Sequence, residues 1–189
     1  MTKRVYSFCS MLSVLGMSAL GWAALARAAD EKHEHAHEEI KEAVAVLVPM
    51  KASGVGGTIV LKQEKGYVQV TGEVTGLKPG KHGFHIHMFG DLRAPDGMSA
   101  GGHYNPHNEP HGGPDSKERH EGDLGNIDAN ASGVAKVNVK AEHVELHHIL
   151  GRSVVVHGDV DDLKSQPAGN AGPRIGVGVI GLADTTPKK

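Results

Sequence analysis

The chain has 189 residues, with 26 Gly, 9 Pro, 14 His and only 4% aromatics, and a formal charge of −2. That length suits one domain plus an extra segment; a hydrophobic share of 39% excludes wholesale disorder, and the slightly negative charge offers nucleic acid no basic field. The single cysteine, Cys9, excludes an intrachain disulfide and any zinc site built on cysteine.

Lys3 and Arg4 precede an uncharged stretch, Val5 to Ala26, that ends in Ala26-Arg27-Ala28. A basic start, an apolar middle and a small-x-small ending predict a secretory signal peptide over residues 1–28. The alternative is a retained membrane anchor, since the uncharged run is long enough to span a bilayer. Cleavage after Ala28 removes Lys3, Arg4 and Arg27 and no acid, which takes the charge to −5 and leaves no cysteine. Residues 29–42 read as a polar, mobile arm in which His33, His35 and His37 alternate with acids and Ala36. Such a tract is expected to bind a transition metal as an accessory site, with a solvated tail as the alternative.

From Ala43 the pattern turns to strands. Ala43–Val48 is apolar and β-branched, and Gly57–Lys62 and Tyr67–Thr75 flank a short hairpin loop at Glu64-Lys65-Gly66. Val68, Val70 and Val74 share one face of the third strand. His82–Met88 follows the turn Leu77-Lys-Pro-Gly80, and Val134–Lys140 alternates with Val137 and Val139 inward. Arg152–His157 and Arg174–Leu182 complete the set. Short strands at hairpin spacing, with no long amphipathic helix among them, predict an antiparallel sandwich or barrel over residues 43–183, followed by a tail at 184–189. Two stretches do not fit compact loops, Phe89 to Glu121 and Gly158 to Pro173; long structureless loops are usually functional.

Histidine is concentrated around those loops. His85 and His87, two apart on a strand, face one way about 6.5 Å apart, so both imidazoles can converge on one metal while Ile86 packs inward. Taken alone the pair also fits two ordinary strand histidines. The loop adds His103, His107, His111, His120 and Asp123, and three imidazoles with one carboxylate suit a closed tetrahedral zinc site. His157, at the end of Val154-Val155-Val156, can point toward the strand of His85 and His87; a set of neutral imidazoles favours Cu(II).

At these residues the sequence resembles the copper/zinc superoxide dismutases in their eukaryote-like form. The matching blocks are Gly83-Phe-His-Ile-His-Met-Phe-Gly-Asp91, Ser99-Ala-Gly-Gly-His-Tyr-Asn-Pro106, His111-Gly-Gly-Pro114, Glu118-Arg-His-Glu-Gly-Asp-Leu-Gly-Asn126, Gly151-Arg-Ser-Val-Val-Val-His157 and Gly169-Asn-Ala-Gly-Pro-Arg-Ile-Gly-Val-Gly-Val-Ile-Gly181. The resemblance implies an eight-stranded antiparallel Greek-key β-barrel with two long functional loops. It implies copper on His85, His87, His103 and His157, and zinc on His103, His111, His120 and Asp123, with His103 bridging the two. Arg174 matches the arginine that guides superoxide, and Asp161 the acid that links a copper-ligand and a zinc-ligand histidine. His82 matches a structural histidine outside the site. The implied activity is dismutation of superoxide to oxygen and hydrogen peroxide by an exported enzyme, periplasmic if bacterial and otherwise secreted. The alternative is a non-catalytic copper-binding or copper-delivery protein on the same barrel.

Two departures stand out. The disulfide that ties the long loop to the last strand in the family would fall at Gly97 and Val177, so zinc and packing alone are expected to hold the loop. The loop at 161–173 is shorter and lacks the charged guides of the family between Leu163 and Gly169, leaving Lys164 as the one substitute. His107, His143, His147 and His148 are expected to be exposed or structural. Asn130-Ala-Ser132 matches a glycosylation acceptor in a turn. The region around Gly151 resembles a dimer-forming edge, so a homodimer is expected, with superoxide as the small-molecule partner.

Overall fold

A computed structural model describes residues 40–186. The expected signal peptide, His33, His35 and His37 lie outside the described residues, as do residues 187–189.

Nine strands follow in order: β1 (Glu42–Pro49), β2 (Gly56–Glu64), β3 (Tyr67–Thr75), β4 (Gly80–His87), β5 (Asp123–Ala129), β6 (Ala135–Glu142), β7 (Ser153–His157), β8 (Arg174–Val179) and β9 (Gly181–Leu182). Apart from a 3-10 turn at Met98–Ala100, the only helix among the described residues is α1 (Leu146–Ile149). Every pairing is antiparallel, in the order β2-β3-β6-β5-β4-β7-β8-β1-β9. Pairing of β1 with β2 closes eight strands into a barrel. The ninth is a two-residue continuation of the last strand that pairs with Ala43 and Val44. The crossing from β3 to β6 and the return through β5 and β4 make the Greek key. Closure leaves the barrel without a free edge.

The inward faces are read directly from alternation. Val68, Val70 and Val74 of β3, Ala43, Ala45 and Leu47 of β1 and Ile59 and Leu61 of β2 form one core with Phe84, Ile86, Val154 and Val156. The β2–β3 hairpin turns through Lys65-Gly66, where Gly66 adopts φ 85, a left-handed conformation that glycine takes without steric cost. β5 (Asp-Leu-Gly-Asn-Ile-Asp-Ala) has no sequence signature of a strand, because Gly, Asn and Asp are depleted in sheets. It forms because Gly80, Lys81, His82 and Gly83 of β4 register against Ala129, Asp128, Ile127 and Asn126.

The outer face of β4, β7 and β8 positions the site. A second, smaller cluster of Met50, Ala100, Val155 and Val177, with Leu92 against it, sits there. Ala100 and Leu92 belong to the long loop, so this cluster packs the loop onto the barrel. A Cβ built on Gly97 would meet Val177 Cγ2 at 3.1 Å, so the positions matching the family disulfide are adjacent here. The loop is held by more than packing. Arg174 donates from Nη1 to the Gly97 carbonyl and from Nη2 to the Gly101 carbonyl.

Candidate metal centre

Alternation along β4 sends Ile86 into the barrel and His85 and His87 out, and the two loops cover both histidines to 0% and 1% exposure. The long loop then lies along the end of β4. Met88 N–H donates to Gly102 O (2.9 Å), Tyr104 N–H to Ile86 O (2.8 Å) and Ile86 N–H to Gly122 O (2.9 Å). This ladder sets His103 directly opposite His87. On β7, Val154 and Val156 point inward and His157 reaches His87, Nε2 to Nε2 at 3.2 Å.

Two donor groups result. His85, His87, His103 and His157 form one, and His103, His111, His120 and Asp123 the other. Within each group one ligand atom per residue lies within 4.8 Å of the rest, a spacing that could hold one ion, and all seven side chains are buried. His103 belongs to both. Its ring centroid lies 4.0 Å from that of His85 and 5.4 Å from that of His120.

In four of the imidazoles a hydrogen bond fixes the far nitrogen and so determines which nitrogen is turned toward the group. His85 Nε2 donates to Asp161 Oδ2 (2.7 Å), His87 Nδ1 to Gly101 O (2.9 Å) and His157 Nδ1 to Gly172 O (3.2 Å). His111 Nε2 donates to the other oxygen of Asp161 (3.0 Å). Asp161 therefore ties one histidine of each group together. Its own backbone is paired twice with Asn126, whose Oδ1 accepts the Asp161 N–H and whose Nδ2 donates to the Asp161 carbonyl, both at 2.9 Å. Gly169 packs so closely that a Cβ there would lie 1.8 Å from Asp161 Oδ1 and 2.6 Å from His111 Nε2.

The second group converges on one carboxylate oxygen. Asp123 Oδ2 accepts the backbone N–H groups of Gly112 (3.1 Å) and His120 (2.9 Å), which turns Oδ1 toward the imidazoles. Oδ1 lies 2.7 Å from His103 Nδ1, 3.0 Å from His111 Nδ1 and 3.1 Å from His120 Nδ1. His120 Nδ1 and His103 Nδ1 are 3.4 Å apart. Zinc–nitrogen bonds of about 2.0–2.1 Å imply tetrahedron edges of about 3.3 Å, close to these spacings.

The donor set fits metal on a second ground. His85 Nδ1, His103 Nε2 and His111 Nδ1 are buried without any hydrogen-bonding partner in the protein. His111 Nδ1 is 3.0 Å from Asp123 Oδ1 yet misaligned for a hydrogen bond, as two ligands of one ion are. Buried orphan nitrogens are costly unless something binds them.

Electrostatics divide the two groups. Burial, then the neighbouring imidazoles, pushes His87 well below the ordinary value, His103 down to about 4 and His157 down to about 3, so these nitrogens are neutral lone-pair donors at pH 7. Burial would also lower His111, but the Asp123 and Asp161 carboxylates outweigh it and raise it to about 9. Burial would raise Asp123 and Asp161; hydrogen bonds from the surrounding histidines hold both carboxyls far below the usual range, so they stay ionised. Burial lowers Arg174, which remains cationic as a guanidinium.

The remaining histidines lie apart. His82 is buried between the carbonyls of His157 (2.9 Å) and Lys78 (2.8 Å). His107 pairs with Glu121 at the surface (2.9 Å), and His143, His147 and His148 are exposed. Sequence reasoning missed Asn126, Gln166, Gly169 and the carbonyls of Gly101 and Gly172. Gly101, Asn126, Gly169 and Gly172 lie within the matching blocks, which gave a usable signal without showing what each does; Gln166 lies outside all of them.

A sequence model of the copper/zinc superoxide dismutase (SODC) family matches residues 55–180. Superoxide dismutase (Cu-Zn) 3 of Arabidopsis thaliana is 47% identical over 156 residues, covering 77% of this chain and 94% of that protein. The extracellular superoxide dismutase (Cu-Zn) of Brugia pahangi is 43% identical over 157 residues, covering 76% of this chain and 78% of that protein.

Proposed function

The chain belongs to the copper/zinc superoxide dismutase family and is a superoxide dismutase that works with copper and zinc, and from that premise we propose the role of each side chain. Copper is held by His85, His87, His103 and His157, and zinc by His103, His111, His120 and Asp123. The observation that carries this reading is the sharing of His103. Its Nδ1 sits among the donors of the second group, and its Nε2 is a buried nitrogen without a partner.

The reaction turns two superoxide anions and two protons into dioxygen and hydrogen peroxide, one anion giving up the electron that the other takes. When bound, copper carries that electron and zinc, which has no redox role, holds structure and charge. His103 Nε2 holds one proton in the electron-rich half of the cycle and passes it to the departing peroxide. Arg174 supplies a fixed positive charge that draws in the anion. Asp161 keeps the His85 and His111 rings in the tautomers that aim Nδ1 inward. The two loops exclude bulk water, which strengthens every charge interaction inside. Metal content and superoxide consumption, measured together on the purified mature chain, test this reading. One copper and one zinc per chain with activity is the expected result; both metals without activity overturns it in favour of a copper carrier.

The proposal extends to location and assembly. Residues 1–28 direct export and are removed, leaving the arm with His33, His35 and His37 to gather metal ahead of the barrel at 43–183. The basic start and the small-x-small ending support export, as does the extracellular name of the Brugia pahangi relative. Among the described residues no helix is long and apolar enough to cross a membrane. A homodimer is supported by the exposed apolar side chains Val46 and Val48 of β1, Val179 of β8 and Phe89. Gly90, next to Phe89, packs against Val179 and the Gly151 carbonyl, so these residues adjoin; a patch of this kind marks an interaction face.

A further inference from the structure

His111 has both of its backbone hydrogen bonds on one side chain. Gln166 Oε1 accepts the His111 N–H at 2.8 Å, and Gln166 Nε2 donates to the His111 carbonyl at 2.9 Å. No strand reaches this stretch of the long loop. Three other amides of the stretch are met by side chains of the same loop or of the strand that follows it: Glu109 N–H by Asn105 Oδ1, Gly112 N–H by Asp123 Oδ2 and Gly113 N–H by Ser116 Oγ. Gln166 is the partner that comes from the second loop, 55 residues away. A primary carboxamide offers the donor and acceptor of a peptide group, so Gln166 acts as a rung of β-ladder with no strand behind it. The side chain is braced by a further bond from Nε2 to the Lys164 carbonyl (3.2 Å).

The same loop grips the ring. Asp161 Oδ1 accepts from His111 Nε2 at 3.0 Å, and Gly169 leaves the room for that contact. A ring held only at Nε2 can pivot about Asp161 and swing Nδ1 away from His103, His120 and Asp123. A grip on the backbone of the same residue removes the pivot. We propose that Gln166 is a positioning residue for His111: its two-point hold on the His111 backbone fixes the angle at which Nδ1 enters the zinc group and couples that group to the loop at 158–173. The proposal rests on reading His111 as a zinc ligand.

The test uses the full mature protein with Co(II) in the zinc position, where the visible absorption bands report coordination geometry, and follows zinc release into a chelator. Outer hydrogen-bond partners of metal ligands are typically worth 10–100-fold in metal affinity. Gln166→Ala is expected to speed zinc release about tenfold and to shift and broaden the Co(II) bands. Gln166→Glu, which keeps the acceptor for the His111 N–H but turns a second acceptor on its carbonyl, is expected to fall at or beyond Gln166→Ala. Lys164→Ala, whose carbonyl is retained, is expected to match the wild type. Unchanged release and unchanged bands in Gln166→Ala, alongside defective Co(II) binding in His111→Ala, overturn the positioning role alone. Equal loss of thermal stability in metal-free and loaded Gln166→Ala, with unchanged bands, also overturns it in favour of loop scaffolding. Wild-type Co(II) bands in His111→Ala overturn the ligand reading and the proposal with it.

Discussion

His87 and Arg174 donate to the same atom, the carbonyl oxygen of Gly101. One bond sets the tautomer of a proposed copper ligand; the other, with the bond to Gly97, locks the guanidinium beside it. The position of the proposed guiding charge and the orientation of the imidazole thus share one peptide group. Arg174→Ala is expected to retain both metals and to lose rate by at least about tenfold, within the range that local focusing contributes. Its rate should fall less steeply with ionic strength, since the screened charge is gone. Arg174→Lys should recover only part of the loss, because one ammonium cannot span two carbonyls in the fixed geometry of a guanidinium. Wild-type kinetics across a salt series in Arg174→Ala would reject the guiding role.

Asp161→Ala removes the one side chain that touches a histidine of each group. Both metals are expected to bind about 10–100-fold more weakly, zinc and copper together, as measured by competition with a chelator. Gly169→Ala should mimic this, because its Cβ would occupy the space of Asp161 Oδ1 and the backbone there has φ +66. Normal affinity for both metals in Asp161→Ala would show that His85 and His111 orient without it.

His157→Ala separates the two groups, since His157 belongs to only one of them. Copper content and activity should be lost while zinc stays at one per chain by elemental analysis. Asp123→Ala should do the reverse, releasing zinc first and lowering activity through His103. Full activity in His157→Ala would remove it from the copper set.

With Cys9 lost along with the proposed signal peptide, the mature chain holds no thiol. A reductant that neither binds nor reduces metal is therefore expected to leave the melting temperature and activity unchanged. Chelation is expected to expose the amides of residues 105–121 to hydrogen exchange and to protease while the strands keep their protection. Equal protection of that loop with and without metal would mean that Gln166, Arg174 and the outer apolar cluster suffice to order it.

Val46→Glu combined with Val179→Glu places charges in the exposed apolar face formed by β1 and β8, where the register that pairs Val48 with Val177 sets Val46 beside Val179. The double variant is expected to sediment as a monomer with both metals bound, while the wild type sediments as a dimer. A wild-type protein that is monomeric at all accessible concentrations would reject the proposed assembly.

The barrel was legible where side chains alternate. Val68, Val70 and Val74 mark β3, whose bounds coincide with the alternating run Tyr67–Thr75. β5 was illegible because Asp123, Gly125, Asn126 and Asp128 carry no strand preference; its register comes from β4, where Asp123 pairs with His85 while its side chain enters the site. The histidines were legible through spacing along β4 and through the blocks shared with the family. Asn126 and Gln166 act on residues 35 and 55 positions away, and Gly169 through its close approach to Asp161 and His111; local sequence does not show which contacts these residues make. The expectation that zinc and packing alone hold the long loop was incomplete for the same reason. The clamps from Arg174 and Gln166 link side chains to backbone carbonyls and amides, which every residue has.

The cluster of Met50, Ala100, Val155 and Val177 gives the loop a thermal behaviour that a covalent tether lacks. Burial of aliphatic surface is driven by entropy near room temperature and weakens on cooling. With one cysteine the chain forms no intrachain sulfur bridge, so its folding is expected not to need an oxidant or an isomerase for one. The corresponding weakness is expected in the cold: as the apolar contacts fade, the Arg174 bonds to the Gly97 and Gly101 carbonyls are left to hold the loop where a disulfide would have held.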